Sequence, residues 1–187
     1  MMVSLMALWV PIVLSAVIVF IASSLMHTVL KYHQAEIRKL NDEDKVMATL
    51  RDAGVQRGVY VFPFCMGGKE MKSPEMIEKY KQGPVGFLTV YPSGPPALGK
   101  FLGLWFGYCL IISFFVAYLA AHTVATGANY RHVFRVVGTV AFMAYGLSQL
   151  SNGIWKGQPW SGVMKEVVDG LVYGLLTAGT FGWLWPR

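Results

Sequence analysis

Charged side chains are scarce in this 187-residue sequence, and they are missing altogether from its longest apolar stretches. Asp, Glu, Lys and Arg make up 14% of the residues, against about 25% in a typical soluble domain. Residues 1–30 and 101–121 contain none of these four residue types. The composition therefore excludes an ordinary soluble domain and predicts a small integral membrane protein.

Cysteines and catalytic motifs are also nearly absent. The two cysteines, Cys65 and Cys109, form no C-x-x-C pair, so nothing indicates a disulfide framework. No zinc-ligand spacing, phosphate-binding loop or Ser/His/Asp order occurs. Cys65 with Met66, Met71 and Met76 leaves open a Cu(I) site, although such methionines more often pack in cores. The sequence thus predicts no cofactor and no metal centre, and it favours a protein that is not an enzyme.

Four apolar segments are long enough to cross a bilayer as helices, since a span needs about 20 residues. The predicted spans are 1–30, 101–122, 133–154 and 167–185. The first is longer than a bilayer requires, and Pro11 should bend it so that residues 12–30 cross. The expected fold is an all-α four-helix transmembrane bundle of a multi-pass protein in the plasma or inner membrane.

The polar region 31–100, between the first two spans, is predicted to form a small cytoplasmic α+β cap. Its first part, 32–40, should continue the first helix. Ser73-Pro74 is a typical helix start, with a capping hydroxyl before a proline. Two runs of β-branched and aromatic residues indicate strands that pair with each other. These runs are 58–64 and 85–91.

Small residues recur at every fourth position near the second span and in the fourth. They are Gly99, Gly103 and Gly107, and then Gly170, Gly174, Ala178 and Gly182. This spacing places each set on one helix face, where a second helix in a membrane can approach closely. The pattern, a glycine zipper, predicts association of helices. The expected partners are the lipid bilayer and either a second copy of the chain or other membrane subunits.

The net charge of +6 does not indicate a nucleic-acid-binding protein, because the basic residues form no cluster. They are instead unevenly distributed between the two ends of the predicted bundle. Lys31, Arg38, Lys39, Lys100, Lys156 and Lys165 lie on the side of the long loop, and Arg131, Arg135 and Arg187 lie on the other. The positive-inside rule then places the long loop in the cytoplasm and both termini outside.

Polar residues gather at the predicted cytoplasmic span ends. They are His27, Ser148, Gln149, Asn152, Asp169 and Tyr173. Asp169 with His27 could pass a proton or bind a cation. Alternatively, Asp169 lies in the first turn of its helix and is stabilised by the helix dipole and by Lys165, one turn earlier.

Two functions remain open from the sequence. The favoured one is a non-enzymatic membrane protein that acts through helix association, as a homo-oligomer or an accessory subunit. The alternative is a small transporter or channel subunit that uses the polar residues around Asp169. An enzyme acting on a lipid or quinone is a weaker third possibility.

Overall fold

The computed structural model describes residues 2–187, except the side chains of Lys31 and Ala35, and the chain is mostly helical. The helices are α1 Trp9–Thr28, α2 Glu43–Asp52, α3 Gly68–Met71, α4 Pro74–Gln82, α5 Leu98–Thr123, α6 Tyr130–Tyr145, α7 Leu150–Lys156 and α8 Trp160–Trp183. The strands are β1 Gly58–Phe62 and β2 Gly86–Val90. Short 3-10 helices cover Leu5–Leu8, Lys31–Glu36 and Leu147–Gln149. Two compact units result, namely Met1–Ile37 with Ala97–Arg187, and Arg38–Pro96.

Within residues 2–187, three helical stretches are long and apolar enough to cross a membrane. They are Leu5–Thr28, Leu98–Thr123 and Tyr130–Lys156. Their length and composition indicate a membrane protein, and they overlap the first three predicted spans. The fourth predicted span is also helical, but α8 is not among these three stretches. Its early turns carry Lys165, Glu166 and Asp169, which lower its apolar character.

The first unit is a bundle in which α8 packs along α6 and against α1, while α1 also packs against α5. Its core consists largely of small and β-branched residues. Fully buried members include Ala16, Val19, Ala117, Val137, Ala141 and Ala178. Such residues allow close helix approach, which is the main source of packing energy where lipid is as apolar as the side chains.

Both chain termini meet the α5–α6 link at one end of this bundle. Met2 forms a β-bridge with Ala125. The indole N–H of Trp185 donates to the carbonyl oxygen of Ala125 at 3.0 Å, and the amide of Gly127 donates to the carbonyl oxygen of Pro186 at 2.9 Å. The C-terminal end of α1 and the first turns of α8 consequently lie at the opposite end.

The predicted third span, 133–154, is helical but not continuous. Helix α6 ends at Tyr145, and a 3-10 turn separates it from α7. The break falls where α6 crosses α8 most closely, since a Cβ built on Gly170 would lie 2.3 Å from the Cα of Gly146. A glycine at such a crossing is a common cause of a helix kink.

The predicted continuation of the first helix through 32–40 is wrong. Helix α1 ends at Thr28, and a 3-10 helix over Lys31–Glu36 is followed by extended backbone at Ile37. Tertiary contacts with α8 compete with the local helical preference here, because Tyr32, His33 and Glu36 all bond to residues of α8. Pro11 lies in the first turn of α1, where a proline removes no helical hydrogen bond.

The second unit confirms the predicted strand pair. β1 and β2 run antiparallel, with Gly58 opposite Val90 and Phe62 opposite Gly86. The predicted helix start at Ser73 is also present, since the Ser73 hydroxyl accepts a hydrogen bond from the Met76 amide at 3.2 Å. Residues 38–96 therefore form a small α+β unit, as expected from their sequence.

Candidate functional site

The candidate site is centred on Asp169, a carboxylate that is only 3% exposed. Its Oδ2 accepts a hydrogen bond from His33 Nε2 at 2.8 Å and lies 3.9 Å from His27 Nε2. Its Oδ1 accepts a hydrogen bond from the Tyr32 hydroxyl. A buried carboxylate is costly unless it is paired and hydrogen-bonded, and these three side chains supply the partners of Asp169.

The helix-start interpretation of Asp169 is wrong. Helix α8 begins at Trp160, nine residues earlier, rather than near Val167. The dipole of a helix acts mainly within its first turn, so it cannot account for a carboxylate at this depth. Lys165 does not bind Asp169 either, because its ammonium lies 3.2 Å from Glu36 Oε1 and donates to the Tyr32 carbonyl oxygen at 2.6 Å.

His33 bridges two carboxylates from its position in the 3-10 helix after α1. Its Nδ1 donates to Glu36 Oε1 at 3.0 Å while its Nε2 donates to Asp169. Burial lowers the pKa of His33, but the bonds to Glu36 and Asp169 outweigh burial and raise the pKa above its ordinary value. With both ring nitrogens donating, the ring is an imidazolium in this arrangement.

Glu36 and Tyr32 have the protonation states that these hydrogen bonds require. Burial favours the neutral Glu36, yet hydrogen bonds from His33 and Lys165 prevail and lower the pKa of its carboxyl group. Burial, followed by the bond to Asp169, raises the pKa of Tyr32 above its ordinary value. Glu36 is therefore an anion that accepts, and Tyr32 stays a protonated donor.

His27 approaches the same carboxylate from the last turn of α1. Its Nδ1 donates to the carbonyl oxygen of Ser23 at 2.9 Å, which leaves Nε2 directed toward Asp169. Its ring stacks on the His33 ring with centroids 4.5 Å apart and planes 7° from parallel. The side chain of His27 is half-exposed, so it forms the outer wall of the site.

His27, His33 and Asp169 together offer three ligand atoms, one each, that lie within 4.8 Å of one another. Histidine nitrogens and carboxylate oxygens are suitable ligands for a divalent transition metal. The same arrangement is also suited to sharing a proton between imidazole and carboxylate. The sequence predicted no metal centre because His33 lies outside the predicted spans.

Three other polar residues of the predicted cluster, Ser148, Gln149 and Asn152, form hydrogen bonds away from Asp169. The Asn152 amide donates to Gln149 Oε1 at 3.0 Å, and the Gln149 amide donates to the Tyr145 carbonyl oxygen at 3.4 Å. The Ser148 hydroxyl donates to its own helix. Within residues 2–187, the buried hydroxyl of Tyr173 has no hydrogen-bond partner. Of the predicted cluster, the structure thus brings His27 next to Asp169 and joins Asn152 to Gln149.

Sequence reasoning missed Tyr32, His33 and Glu36. A signal was present, because His27 and His33 flank the end of an apolar stretch, six residues apart. A continuous helix would have separated them by nearly two turns, and the 3-10 helix stacks them instead. In the second unit, Cys65 Sγ lies 3.5 Å from the Tyr80 hydroxyl, and the Cu(I) alternative for this segment stays open.

The two sets of small residues have different surroundings. In α8, a Cβ built on Gly170 would lie 2.3 Å from an atom of Gly146. A Cβ on Gly174 would lie 3.1 Å from Phe142, and a Cβ on Gly182 would lie 2.7 Å from Tyr130. A Cβ on Gly138 of α6 would lie 3.1 Å from Ala178. In the described part of the chain, a Cβ on Gly99, Gly103 or Gly107 meets nothing within 4 Å.

Comparisons of the chain with protein-family models, with curated proteins and with solved structures found no match. Fold and site together define the class as a helical protein with three helices apolar enough to cross a membrane and a buried carboxylate faced by two histidines. Its function is inferred below from the contacts of this chain alone.

Proposed function

We propose that the protein is a small four-span membrane protein that acts through lateral helix association, as a homo-oligomer or as an accessory subunit of a membrane complex. Three helices already have the length and composition of spans. The fourth, α8, has 24 residues and is about 36 Å long, against a hydrocarbon core of about 30 Å.

The burial of α8 supports its inclusion as a span. Asp169, Gly170, Tyr173, Gly174 and Phe181 are all buried on the faces that it turns to its neighbours. Its charged residues lie between Lys165 and Asp169, near one end, where Asp169 is paired with protein groups. A moderately polar helix can cross a bilayer when other helices cover its polar side chains.

The observation that carries the association proposal is the contrast between the glycines of α5 and those of α6 and α8. Every glycine within α6 and α8 has a neighbouring atom within 4 Å of its built Cβ, among the residues that the structure describes. Gly99, Gly103 and Gly107 have the same four-residue spacing but no such neighbour. Membrane helices concentrate small residues at interfaces with other helices, so we assign this face of α5 to a partner helix.

The test replaces glycines of α5 by a bulky residue in the full-length chain. Gly103→Ile and Gly107→Ile should shift the protein from oligomer to monomer in mild detergent, because the added side chain separates the two backbones. Leu119→Ile, at an exposed position of the same helix, is the matched control and should leave the oligomer intact. Mass measurement of the protein in detergent, alone and with co-purifying subunits, reads the result.

A monomeric wild-type protein without partners would refute the association proposal. Equal oligomer content in the Gly103→Ile, Gly107→Ile and Leu119→Ile variants would place the glycines against lipid and refute it as well.

A transporter or channel subunit is the second candidate, and buried Asp169 beside half-exposed His27 is the observation that favours it. Ionisable residues inside membrane helices often mark ion or proton pathways. An ion- or proton-coupled flux in proteoliposomes that disappears in the Asp169→Asn variant would support this function over association. A flux that persists in the variant would exclude Asp169 from the pathway.

For orientation we propose that the 31–100 loop lies in the cytoplasm and that both termini lie outside, as the distribution of basic residues favours. The meeting of Met2, Ala125 and Trp185 at one end of the bundle supports a common side for both termini.

A further inference from the structure

We propose that His27, His33 and Asp169 bind one divalent transition-metal ion of the Zn²⁺ class, through Nε2 of each histidine and Oδ2 of the aspartate. This inference is independent of helix association, which needs no metal. Two imidazoles and one carboxylate form a ligand set that zinc and related ions accept in proteins.

The distances between the ligand atoms fit a single ion once one imidazole ring turns. Zinc–nitrogen and zinc–oxygen bonds of about 2.0–2.1 Å in tetrahedral geometry place ligand atoms about 3.3 Å apart. Asp169 Oδ2 lies 2.8 Å from His33 Nε2 and 3.9 Å from His27 Nε2. These two distances lie within about 0.6 Å of the required separation. The imidazole rings of His27 and His33 are stacked 7° from parallel, so one ring must also turn before both Nε2 atoms can bind the same ion.

Each of the three ligands is oriented by a second protein group. The Ser23 carbonyl oxygen accepts from Nδ1 of His27, Glu36 accepts from Nδ1 of His33, and the Tyr32 hydroxyl donates to Asp169. A hydrogen bond from the far nitrogen of each ligating histidine to a carbonyl or carboxylate is a general feature of metal sites.

The orientation of His27 distinguishes this proposal from a simple ion pair. An imidazolium–carboxylate pair accounts for His33 and Asp169. It gives no reason for His27 to turn a second Nε2 toward the same oxygen. With Nδ1 of His27 donating to the Ser23 carbonyl oxygen, Nε2 is the ring nitrogen that is left for a bond to a metal ion.

The charge of the site and its access to solvent also suit a metal ion. The ion takes the place of the proton that His33 Nε2 shares with Asp169, and that proton is released to solvent. Glu36 and Asp169 supply negative charge around the site. Since the His27 side chain is half-exposed, an ion can enter past it. Three protein ligands leave a fourth coordination position open for water or an exogenous ligand.

The experiment uses the full-length protein in detergent, freed of metal by a chelator and titrated with ZnCl₂ or CoCl₂. We expect one ion per chain, and visible absorption bands of Co²⁺ typical of four-coordinate geometry. His27→Ala, His33→Ala and Asp169→Asn should each weaken Zn²⁺ binding by about 100-fold or more, and Glu36→Gln by about 10–100-fold. His132→Ala, an exposed histidine outside the site, is the matched control and should bind as wild type.

Thermal unfolding without metal would identify variants that fail to fold. If the Asp169→Asn variant fails to fold, the His27→Ala and Glu36→Gln variants test the proposal instead. They are suitable because His27 is half-exposed and Glu36 is not a ligand. Wild-type protein that retains no Zn²⁺ beyond the chelated control would overturn the proposal, as would equal binding by His27→Ala and wild type. The oligomeric state of these variants should not change, which separates this test from that of helix association.

Discussion

Replacing Gly170 by alanine should destabilise the chain through one added methyl group. The Cβ added at position 170 would lie 2.3 Å from the Cα and 2.4 Å from the amide nitrogen of Gly146, both backbone atoms. Ordinary contact begins near 3.4 Å, so α6 and α8 must move apart by about 1 Å, since 3.4 − 2.3 = 1.1. Overpacking of this kind costs about 1–3 kcal/mol, and the separated helices also lose dispersion contacts along their crossing.

Thermal unfolding in a detergent that keeps the chain monomeric measures this cost. An apparent Tm lower by about 2–12 °C is expected for Gly170→Ala, from about 2–4 °C per kcal/mol in chains of this size. Gly103→Ala is the matched control, because its added Cβ meets no atom within 4 Å in the described structure. It should leave the Tm unchanged or slightly raised, since alanine favours helix over glycine. Equal Tm values for the two variants would refute the close crossing of α6 and α8.

Three further predictions concern α1, the site and the topology. Ser15 and Ser113 are fully buried, and their hydroxyl oxygens lie 3.0 Å apart. A double-mutant cycle that replaces both by alanine should give a coupling free energy of about 0.6 kcal/mol. A coupling of zero would contradict the hydrogen bond between them. Asp169→Asn, measured without metal, should cost about 3–5 kcal/mol of unfolding free energy because it removes one member of a buried charge pair, and a cost below about 1 kcal/mol would contradict that pair. Cysteines introduced singly in place of Lys72 and Gln158 should be labelled from the same side of the membrane. Labelling of the two positions from opposite sides would exclude four spans.

The regular parts of the fold were predictable because their signals are local. Long uncharged stretches indicate spans through the cost of burying charge in lipid, and the structure has helices over all four predicted segments. Alternating β-branched and aromatic residues likewise located the strand pair to within two residues at each end. Ser73 followed by Pro74 marked a helix start that the hydrogen bond to Met76 confirms.

The site was only half predictable because it depends on contacts between distant segments. Polar residues at span ends indicated His27 and Asp169, but no periodicity reveals that the chain leaves the helix after Thr28. The start of α8 was placed near Val167 because apolar residues begin there, whereas the helix begins at Trp160. That error put Asp169 in a first turn and paired Lys165 with it. Lys165 lies near Glu36 instead, more than 100 residues away along the chain.

The same contacts explain why the segment after α1 folds back on α8. Lys31–Glu36 is a single short 3-10 helix, a conformation that is weak by itself. Tyr32, His33 and Glu36 all point their polar groups at residues of α8. The bonds of Tyr32 and His33 gain strength because their partner, Asp169, is buried and would otherwise be an uncompensated charge. The burial of the Asp169 carboxylate thus depends on this segment, and the fold of the segment depends on Asp169. A metal ion that replaces the shared proton would strengthen both dependences at once and tie the end of α1 to α8.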